Sequence, residues 1–204
     1  MAIISNLHYI TDTTQGLEPL LKAGLNWVQL RVKNRNEKEI YNMADSFVAL
    51  CEKYKTYSII NDYPKLAKRV GADGVHLGKE DMSPAEARDL LGKDFIIGGT
   101  ANTFEDVEAL YEAGVDYVGL GPLRFTDTKK NLSPVLGLEG YSEILQSCSV
   151  NGIRVPIIAI GGIVVEDLAA LYDIGLHGVA VSAAIRKAQN PAAAVKAFLG
   201  VNAV

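Results

Sequence analysis

Two aspartates have the residue type and spacing of a site for a divalent cation. Asp62 directly follows one short apolar run, and Asp81 comes just after the next apolar run. Neighbouring carboxylates repel each other unless one is protonated or a cation lies between them. Mg²⁺ is commonly bound by one or two carboxylates, with water and substrate phosphate oxygens completing its coordination. The pair therefore predicts a site for magnesium and a substrate that carries pyrophosphate.

Both aspartates also have a structural interpretation. Asp62 precedes Pro64, and proline is a common first residue of a helix, so Asp62 could act as a helix N-cap. Asp81 stands in a similar position before Ser83 and Pro84. From the sequence, helix capping and cation binding both remain open.

Three long polar side chains alternate along an earlier apolar run. Gln29, Arg31 and Lys33 are two residues apart, so they point to the same side if this run forms a β-strand. Burying such side chains is costly unless a ligand or an ion-pair partner compensates them. They predict either a surface that binds phosphate or a structural ion-pair network.

Two later segments have further features of a phosphate site. Gly161 and Gly162 allow close approach of the backbone, and Ser182 can open a short helix whose free N–H groups attract anions. A tight turn packed against a helix is the alternative interpretation of the glycine pair. An insertion over residues 124–137 carries Lys129 and is typical of a mobile lid.

The elements that must position these residues are eight short apolar runs separated by helical patterns. Alternating strands and helices imply parallel strands covered on both faces, which a closed barrel or an open doubly wound sheet provides. Eight nearly equal units favour an α/β fold of the (β/α)8 TIM-barrel type, as a single domain over residues 1–204. The predicted strands are 7–11, 27–32, 57–60, 74–77, 95–98, 117–120, 155–160 and 178–181.

In such a barrel the polar residues named above meet at one end. They follow the carboxyl ends of predicted strands, and the loops at those ends build the active sites of this fold. The histidines His8, His76 and His177 are assigned to packing, because no matching ligand stands at metal-binding spacing. The sequence contains no nucleophile elbow and no evident Cys–His pair, so covalent catalysis has little support.

Composition excludes several classes of function. Apolar residues make up 49% of the chain, and the net charge of −4 gives no excess of positive charge for nucleic acid or anionic lipid. The amino terminus has no signal-peptide pattern, and the most apolar run, residues 155–165, is too short to span a membrane. We therefore expect a cytoplasmic protein. Cys51 and Cys148 are expected to be core thiols.

The order and spacing of eight motifs resemble the thiamine phosphate synthase family over nearly the whole chain. The motifs are YITD at 9–12, QLRVK at 29–33, IND at 60–62, GADGVHLGKEDM at 71–82, GLGP at 119–122, TDTKK at 126–130, IAIGGI at 158–163 and GVAV at 178–181. The resemblance implies an enzyme that joins 4-amino-2-methyl-5-hydroxymethylpyrimidine diphosphate to thiazole phosphate. The expected products are thiamine phosphate and pyrophosphate.

The resemblance also implies Mg²⁺ as cofactor and roles for individual residues. Asp62 and Asp81 would bind Mg²⁺, and Arg31, Lys33 and Lys129 would stabilise the departing diphosphate. The expected contacts of the pyrimidine diphosphate are Gln29, Leu30, Arg31, Val32, Lys33, Asn61, Thr100 and Lys129, and those of the thiazole phosphate are Thr126, Asp127, Thr128, Gly162, Val181 and Ser182.

Several positions depart from the family pattern. Val32 stands where an acid is usual, Thr100 replaces a serine, and Phe125 and Asp127 stand where proline is frequent. Asn102 replaces a histidine that the related thiazole tautomerase uses as its acid–base group, and asparagine exchanges no proton at neutral pH. These features favour the synthase, with a tautomerase or a non-catalytic phosphate-binding barrel as alternatives. The sequence leaves open whether the protein is a monomer or a homodimer.

Overall fold

Strand and helix alternate throughout residues 3–125 and 134–200, the parts of the chain that the computed structural model describes. Each strand runs parallel to its neighbours in the sheet. The strands are β1 Leu7–Thr11, β2 Trp27–Leu30, β3 Tyr57–Asn61, β4 Gly74–Leu77, β5 Ile96–Ala101, β6 Tyr117–Leu120, β7 Ile157–Ile160 and β8 Gly178–Val181.

Three of the helices between the strands begin at capping residues that the sequence supplies. Helix bounds are α1 Leu17–Lys22, α2 Glu37–Lys53, α3 Pro64–Val70, α4 Pro84–Leu91, α5 Phe104–Glu112, α6 Gly137–Val150, a 3₁₀ turn Val165–Asp167 followed by α7 Leu168–Asp173, α8 Ala183–Arg186 and α9 Pro191–Gly200. Asn36, Ser83 and Thr103 each accept a hydrogen bond from the backbone three residues later, and an acidic side chain there returns one. These reciprocal bonds satisfy amide groups that a helix start leaves unpaired.

The sheet closes on itself because β1 pairs with both β2 and β8. Tyr9 lies opposite Val28 on β2 and opposite Val181 on β8, and the remaining pairs follow chain order. The (β/α)8 barrel is therefore confirmed, and the open doubly wound sheet is wrong. All strands end at the same mouth of the barrel, which is where enzymes of this fold place their active sites.

Two apolar layers stabilise the barrel. The first lies between the strands and the surrounding helices and includes Val28, Phe47 and Leu168, which are fully buried. The second fills the inside of the barrel, because alternate side chains of each strand point inward. Its buried members are Ile4, Trp27, Ile59, Ile96, Tyr117, Ile158 and Ala180.

A repeated polar residue ties neighbouring strands together at their amino ends. Asp73 and Asp116 each stand one residue before an even-numbered strand, two residues after a glycine. Asp73 Oδ2 accepts a hydrogen bond from the Ser58 amide at 2.7 Å, and Asp116 Oδ2 accepts one from the Ile97 amide at 2.8 Å. Asn26 and His177 stand at the corresponding positions before β2 and β8, where Asn26 Oδ1 accepts from the Ser5 hydroxyl and His177 Nε2 contacts Ile4 O.

We expect Asp116→Ala to lower the free energy of unfolding by about 1–3 kcal/mol, because the Ile97 amide loses its acceptor and Arg88, at 2.7 Å, loses its carboxylate partner. Asp116→Asn keeps an acceptor oxygen and should lose less. Urea unfolding measures both changes. An unchanged urea midpoint in the alanine variant would show that this contact does not stabilise the barrel.

Some local expectations from the sequence need correction. Strand β2 ends at Leu30 rather than at residue 32, although the Arg31 amide still donates to Thr11 O at 2.8 Å. Arg31 and Lys33 therefore begin the loop after β2. Proline lacks an amide hydrogen, and β7 begins directly after Pro156 rather than at residue 155.

Both cysteines are free and buried, as expected. Burial raises the pKa of the Cys51 thiol to about 12, so this residue carries almost no thiolate at neutral pH. None of the helices within residues 3–125 and 134–200 combines the length and the apolar character that crossing a membrane requires.

Candidate functional site

The described candidate residues lie at the carboxyl ends of the strands. Leu30 and Val32 flank Arg31 and are buried at 3% and 8% exposure, so their side chains contribute to the core. The residues at this mouth are Gln29 to Lys33 after β2, Asn61 and Asp62 after β3, Asp81 beyond β4, Thr100 on β5, Gly162 after β7, and Val181 with Ser182 at the end of β8. The candidates Thr126, Asp127, Thr128 and Lys129 lie outside the described residues.

The two aspartate carboxyl groups are neighbours. Asp62 adopts a positive φ of 68°, and its amide donates to His76 O on the adjacent strand at 2.9 Å. Asp81 is fixed by the Gly78 amide, which donates to its Oδ2 at 2.6 Å. Burial, followed by the hydrogen bond and charge of Asp81, raises the pKa of Asp62 to about 6. Such a rise is the signature of two acids that share a site.

Neither aspartate caps a helix, so the alternative interpretation of this pair is wrong. The residue that caps α3 is Tyr63, which makes no side-chain cap hydrogen bond. Helix α4 is capped by Ser83, whose hydroxyl accepts from the Glu86 amide at 3.3 Å. Both carboxyl groups are thus available at the mouth of the barrel.

Positive charge lies beside the pair. Lys33 Nζ is 3.6 Å from Asp62 Oδ2, and the lysine side chain is 54% exposed. The charges of Lys33 and Arg31 both lower the pKa of Asp62, but burial and Asp81 outweigh them. A long, exposed ion pair of this kind contributes little to stability. Lys33 thus forms one long ion pair, with Asp62, whereas Arg31 forms no ion pair with any described carboxylate.

Amide and hydroxyl groups line the inside of the mouth. Gln29 and Asn61 are 4% and 7% exposed. Thr100 Oγ1 lies 2.9 Å from His76 Nε2. Residues from strands β2, β3 and β5 therefore converge on one surface that can hydrogen-bond a planar polar ring.

His76, which the sequence assigned to packing, stacks on Tyr117 and also contacts a candidate site residue. Its Nδ1 lies 3.0 Å from the Tyr117 hydroxyl, and its Nε2 lies 2.9 Å from Thr100 Oγ1. The period of two along β4 places His76 on the same inward face as Gly74 and Gly78. His8, in contrast, is a packing residue: it is 1% exposed, and burial lowers its pKa.

The glycine pair after β7 forms a tight turn, and the turn also faces the mouth. Gly161 and Gly162 have φ values of 103° and 70°, and a Cβ on Gly162 would lie 2.6 Å from Arg124 Cγ. Arg124 Nη1 donates to Gly162 O at 2.8 Å and its guanidinium pairs with Asp167. The Gly162 amide has no acceptor among the described residues, so it can donate to an anion.

Helix α8 begins directly after Ser182, as the sequence predicted. Ser182 makes no side-chain cap hydrogen bond, although the Arg186 amide donates to its carbonyl oxygen at 2.9 Å. The first amides of a helix have no intrahelical acceptor. This end of β8 therefore presents backbone donors close in sequence to Val181.

Two surface cavities lie at the opposite end of the barrel. Their shared lining residues are Tyr57 and Asp73, which stand at the amino ends of β3 and β4. In this fold that end serves stability rather than chemistry. The carboxyl-end mouth, with its paired acids, remains the candidate site.

The Asp62 pKa predicts a pH dependence of stability in the metal-free protein. Because the folded chain keeps a proton that the unfolded chain has released, stability should fall as the pH rises from about 4 to about 6. Asp62→Asn removes this titration and should reduce the fall. Urea unfolding in EDTA across this range measures it, and an identical pH profile in the variant would contradict the assignment.

The sequence is similar to one known family over nearly its whole length. Residues 1–185 match the family model described as thiamine monophosphate synthase. A thiamine-phosphate synthase of Bacteroides fragilis is 48% identical over 202 residues, covering 96% of this chain and 99% of the relative. One from Flavobacterium johnsoniae is 50% identical over 182 residues, covering 89% of this chain and 86% of the relative.

Solved structures share the barrel fold, and one of them comes from the same kind of enzyme as the sequence relatives. Thiamine phosphate pyrophosphorylase from Pyrococcus furiosus superposes with a TM-score of 0.81 at 29% identity, covering 96% of this chain and 94% of that chain. A KDPGal structure superposes with a TM-score of 0.73 at 16% identity, covering 98% of this chain and 95% of that chain. At such low identity the second likeness concerns the fold alone.

Proposed function

The chain belongs to the thiamine monophosphate synthase family, and we propose that its barrel mouth binds both substrates around a magnesium ion held by Asp62 and Asp81. The protein is a transferase of thiamine biosynthesis. It condenses 4-amino-2-methyl-5-hydroxymethylpyrimidine diphosphate with thiazole phosphate to give thiamine phosphate and pyrophosphate. The family match and the relatives named thiamine-phosphate synthase support this activity.

The observation that carries the magnesium proposal is the neighbouring pair of acids. Burial and the Asp81 carboxyl raise the pKa of Asp62, so a cation between the two groups would relieve a real electrostatic cost. The described residues hold no cluster of three or more His, Cys, Asp or Glu side chains. Two carboxylates with substrate phosphates and water suit Mg²⁺, whereas zinc needs more protein ligands.

The chain's own cations stabilise the leaving diphosphate in this proposal. When bound, the magnesium ion supplies Lewis-acid neutralisation of phosphate charge. The bond from the pyrimidine methylene carbon to the diphosphate oxygen breaks, and the electron-rich aminopyrimidine ring delocalises the cation. Arg31 and Lys33 stabilise the departing negative charge, and Lys129, which lies outside the described residues, is proposed to do the same. The thiazole nitrogen then forms the new bond to the methylene carbon, so no protein nucleophile is needed.

Neutral groups orient the two substrates. Gln29, Asn61 and Thr100 hydrogen-bond the pyrimidine, and Thr100 itself lies 2.9 Å from His76 Nε2. Holding both reactants at the correct distance supplies effective concentration. The thiazole phosphate contacts are the backbone donors of Gly162, Val181 and Ser182, together with Thr126, Asp127 and Thr128.

Asn102 disfavours a tautomerase. Its amide Nδ2 donates to Gly121 O, and its own backbone amide donates to Asp106 Oδ2 at 2.8 Å. The side chain therefore serves to connect the loops after β5 and β6. It offers no proton for acid–base chemistry. A cytoplasmic location and the choice between monomer and homodimer stay predictions of the sequence.

One assay tests the proposal. The purified protein is mixed with the two precursors and Mg²⁺, and thiamine phosphate and pyrophosphate are quantified by mass spectrometry. We expect both products in equal amounts, with strong suppression by EDTA and recovery when Mg²⁺ is restored. Equal rates in excess EDTA would overturn the magnesium proposal, and the absence of product would reduce the protein to a phosphate-binding barrel.

A further inference from the structure

Three successive carbonyl groups at the end of β7 are held by the segment that follows β6. Ile160 O accepts a hydrogen bond from the Leu123 amide at 2.9 Å, and Gly161 O accepts one from the Arg124 amide at 3.2 Å. Gly162 O accepts one from the Arg124 side chain, whose Nη1 lies 2.8 Å away. Arg124 therefore holds both glycines of the turn, one through its backbone and one through its guanidinium.

The direction of these carbonyl groups fixes the direction of the amides that follow them. The peptide bonds of this turn are trans, and in a trans peptide the carbonyl oxygen and the amide hydrogen lie on opposite sides of the C–N bond. The amides of Gly161, Gly162 and Ile163 therefore point away from the segment after β6. None of these three amides has an acceptor within residues 3–125 and 134–200.

The face of the turn that carries these amides lies toward β8. Strand β7 stands between β6 and β8 in the closed barrel. Amides that point away from the β6 side therefore point toward the end of β8, where Ser182 precedes α8. Gly162 is exposed, so a ligand can reach its amide. This is the position proposed above for the thiazole phosphate, and successive amides suit a phosphate group.

Arg124 also fixes the segment that continues beyond the turn. Its Nη1 and Nη2 each lie 2.7 Å from one carboxylate oxygen of Asp167, and two such parallel bonds define the plane of the guanidinium. Asp167 Oδ2 accepts a further hydrogen bond from the Val164 amide at 2.8 Å. The hydrogen bond from Arg124 is the largest influence on the pKa of Asp167 and lowers it, so Asp167 stays a carboxylate at neutral pH.

The glycine at position 162 lets Arg124 lie directly against the turn. Gly162 has a φ of 70°, and a Cβ there would lie 2.6 Å from Arg124 Cγ. The guanidinium is bound to Asp167 and to Gly162 O, on the carbonyl side of the turn. Its charge is thus paired on the side opposite to the free amides, so Arg124 acts on a phosphate through the backbone and not by direct contact.

We propose that Arg124, paired with Asp167, is a positioning residue for the thiazole phosphate, because it holds the carbonyl side of the turn and thereby aims the Gly162 and Ile163 amides at the phosphate group. This proposal rests on the function proposed above. Preorganised donors bind an anion more tightly than donors that must first be ordered. Loss of the guanidinium should therefore weaken one substrate and spare the other.

The first test separates the two substrates. We expect Arg124→Met to raise the KM for thiazole phosphate about tenfold and to leave the KM for the pyrimidine diphosphate unchanged. Methionine keeps an aliphatic stem against Gly162 and removes every guanidinium bond. Arg154→Met is the matched control, because Arg154 is exposed and stands before the amino end of β7. The control should leave both KM values unchanged.

The second test distinguishes positioning from a direct charge contact. Asp167→Asn removes a negative charge near the phosphate. If Arg124 bound the phosphate itself, this change would free the guanidinium and lower the KM for thiazole phosphate. The proposal predicts the opposite sign, a rise of about threefold, because asparagine offers only one acceptor oxygen to the fork of Arg124. A lowered or unchanged KM would overturn the proposal.

Coupling between the pair is a third readout. Adding Asp167→Asn to Arg124→Met should raise the KM for thiazole phosphate little further, because both changes break the same contact. Arg124→Lys keeps the charge and can reach only one of the two acceptors, so it should recover part of the affinity. Full additivity, or no recovery with lysine, would contradict the proposal. If Arg124→Met fails to fold, Arg124→Lys and Asp167→Asn decide it.

The Gly162 amide can be observed without turnover. The sequence contains two Gly-Gly pairs, at 98–99 and 161–162. Labelling glycine with ¹³C at the carbonyl and with ¹⁵N therefore selects the amides of Gly99 and Gly162 in a carbonyl-correlated NMR spectrum. Thiazole phosphate, added with Mg²⁺ and pyrophosphate, should shift the Gly162 signal and not the Gly99 signal. Arg124→Met should need about tenfold more thiazole phosphate for the same shift, and an unshifted Gly162 signal in the wild-type protein would overturn the proposal.

The outcome is distinct from that of the function test. If wild-type protein makes no thiamine phosphate, the proposed function fails. If wild-type protein is active and Arg124→Met keeps both wild-type KM values, only the role of Arg124 fails.

Discussion

Replacing Asp62 or Asp81 by Asn is expected to slow thiamine phosphate formation by about 10²- to 10³-fold, the usual loss when one preorganised electrostatic contact to a transition state is removed. Asparagine has the shape of aspartate and keeps a carbonyl oxygen, so the Gly78 amide retains an acceptor at position 81. The lost property is the negative charge that binds Mg²⁺. Initial rates at saturating substrate measure the effect.

The magnesium response separates this effect from misfolding. In each Asn variant the Mg²⁺ concentration for half-maximal rate should rise. Stability should not fall in Asp62→Asn, because the change removes the repulsion that raises the pKa of Asp62. Asp94→Asn, an exposed change at the other end of the barrel, is the matched control and should behave like wild type. Unaltered magnesium dependence in both site variants would disprove the metal assignment.

Replacing Lys33 by Met is expected to lower kcat by about 10²-fold. Methionine keeps most of the aliphatic stem and removes the charge. Lys33 Nζ lies 3.6 Å from Asp62 Oδ2, so the ammonium stands beside the proposed cation and can face the diphosphate as negative charge develops on it. Because the side chain is 54% exposed, the free energy of unfolding should change little.

Two further variants sharpen this prediction. Lys33→Arg keeps the charge with a different geometry and should recover part of the rate. Lys93→Met removes an exposed lysine at the amino end of the barrel and should leave kcat unchanged. Steady-state kinetics with each substrate varied in turn provides the values. Wild-type kcat in Lys33→Met would exclude Lys33 from stabilising the leaving group.

The barrel could be predicted from the sequence because each strand and helix is specified by nearby residues and the same pattern recurs along the chain. Glycines such as Gly71 and Gly114 end one helix and lead within a few residues into the next strand, and this pattern recurs along the chain. Parallel strands then place every strand end at one mouth. Asp62 and Asp81 follow consecutive strands, so their meeting follows from topology alone.

Contacts between distant positions could not be predicted in the same way. His76 contacts Thr100 and Tyr117 only because β4, β5 and β6 are adjacent in the closed barrel. Asp116 stands two residues after Gly114 and one residue before β6, but its role as an acceptor depends on the Ile97 amide on another strand. The contacts of both residues therefore depend on which strands are neighbours in the folded barrel.

Helix capping also could not be separated from cation binding by sequence. Asp62 and Tyr63 both precede Pro64, and only the positive φ of Asp62 turns its carboxyl toward Asp81 instead of toward the helix. An aspartate in this left-handed conformation is uncommon. The strand-to-loop geometry that imposes it is a property of the folded barrel.

The magnesium site is tested most directly by diffraction from crystals grown with Mn²⁺, as an anomalously scattering substitute for Mg²⁺, and pyrophosphate. The account predicts an anomalous peak between the carboxylates of Asp62 and Asp81, with pyrophosphate oxygens completing the coordination and Lys33 on the pyrophosphate. A fully occupied ion elsewhere, with both aspartates making no contact to it, would contradict the account.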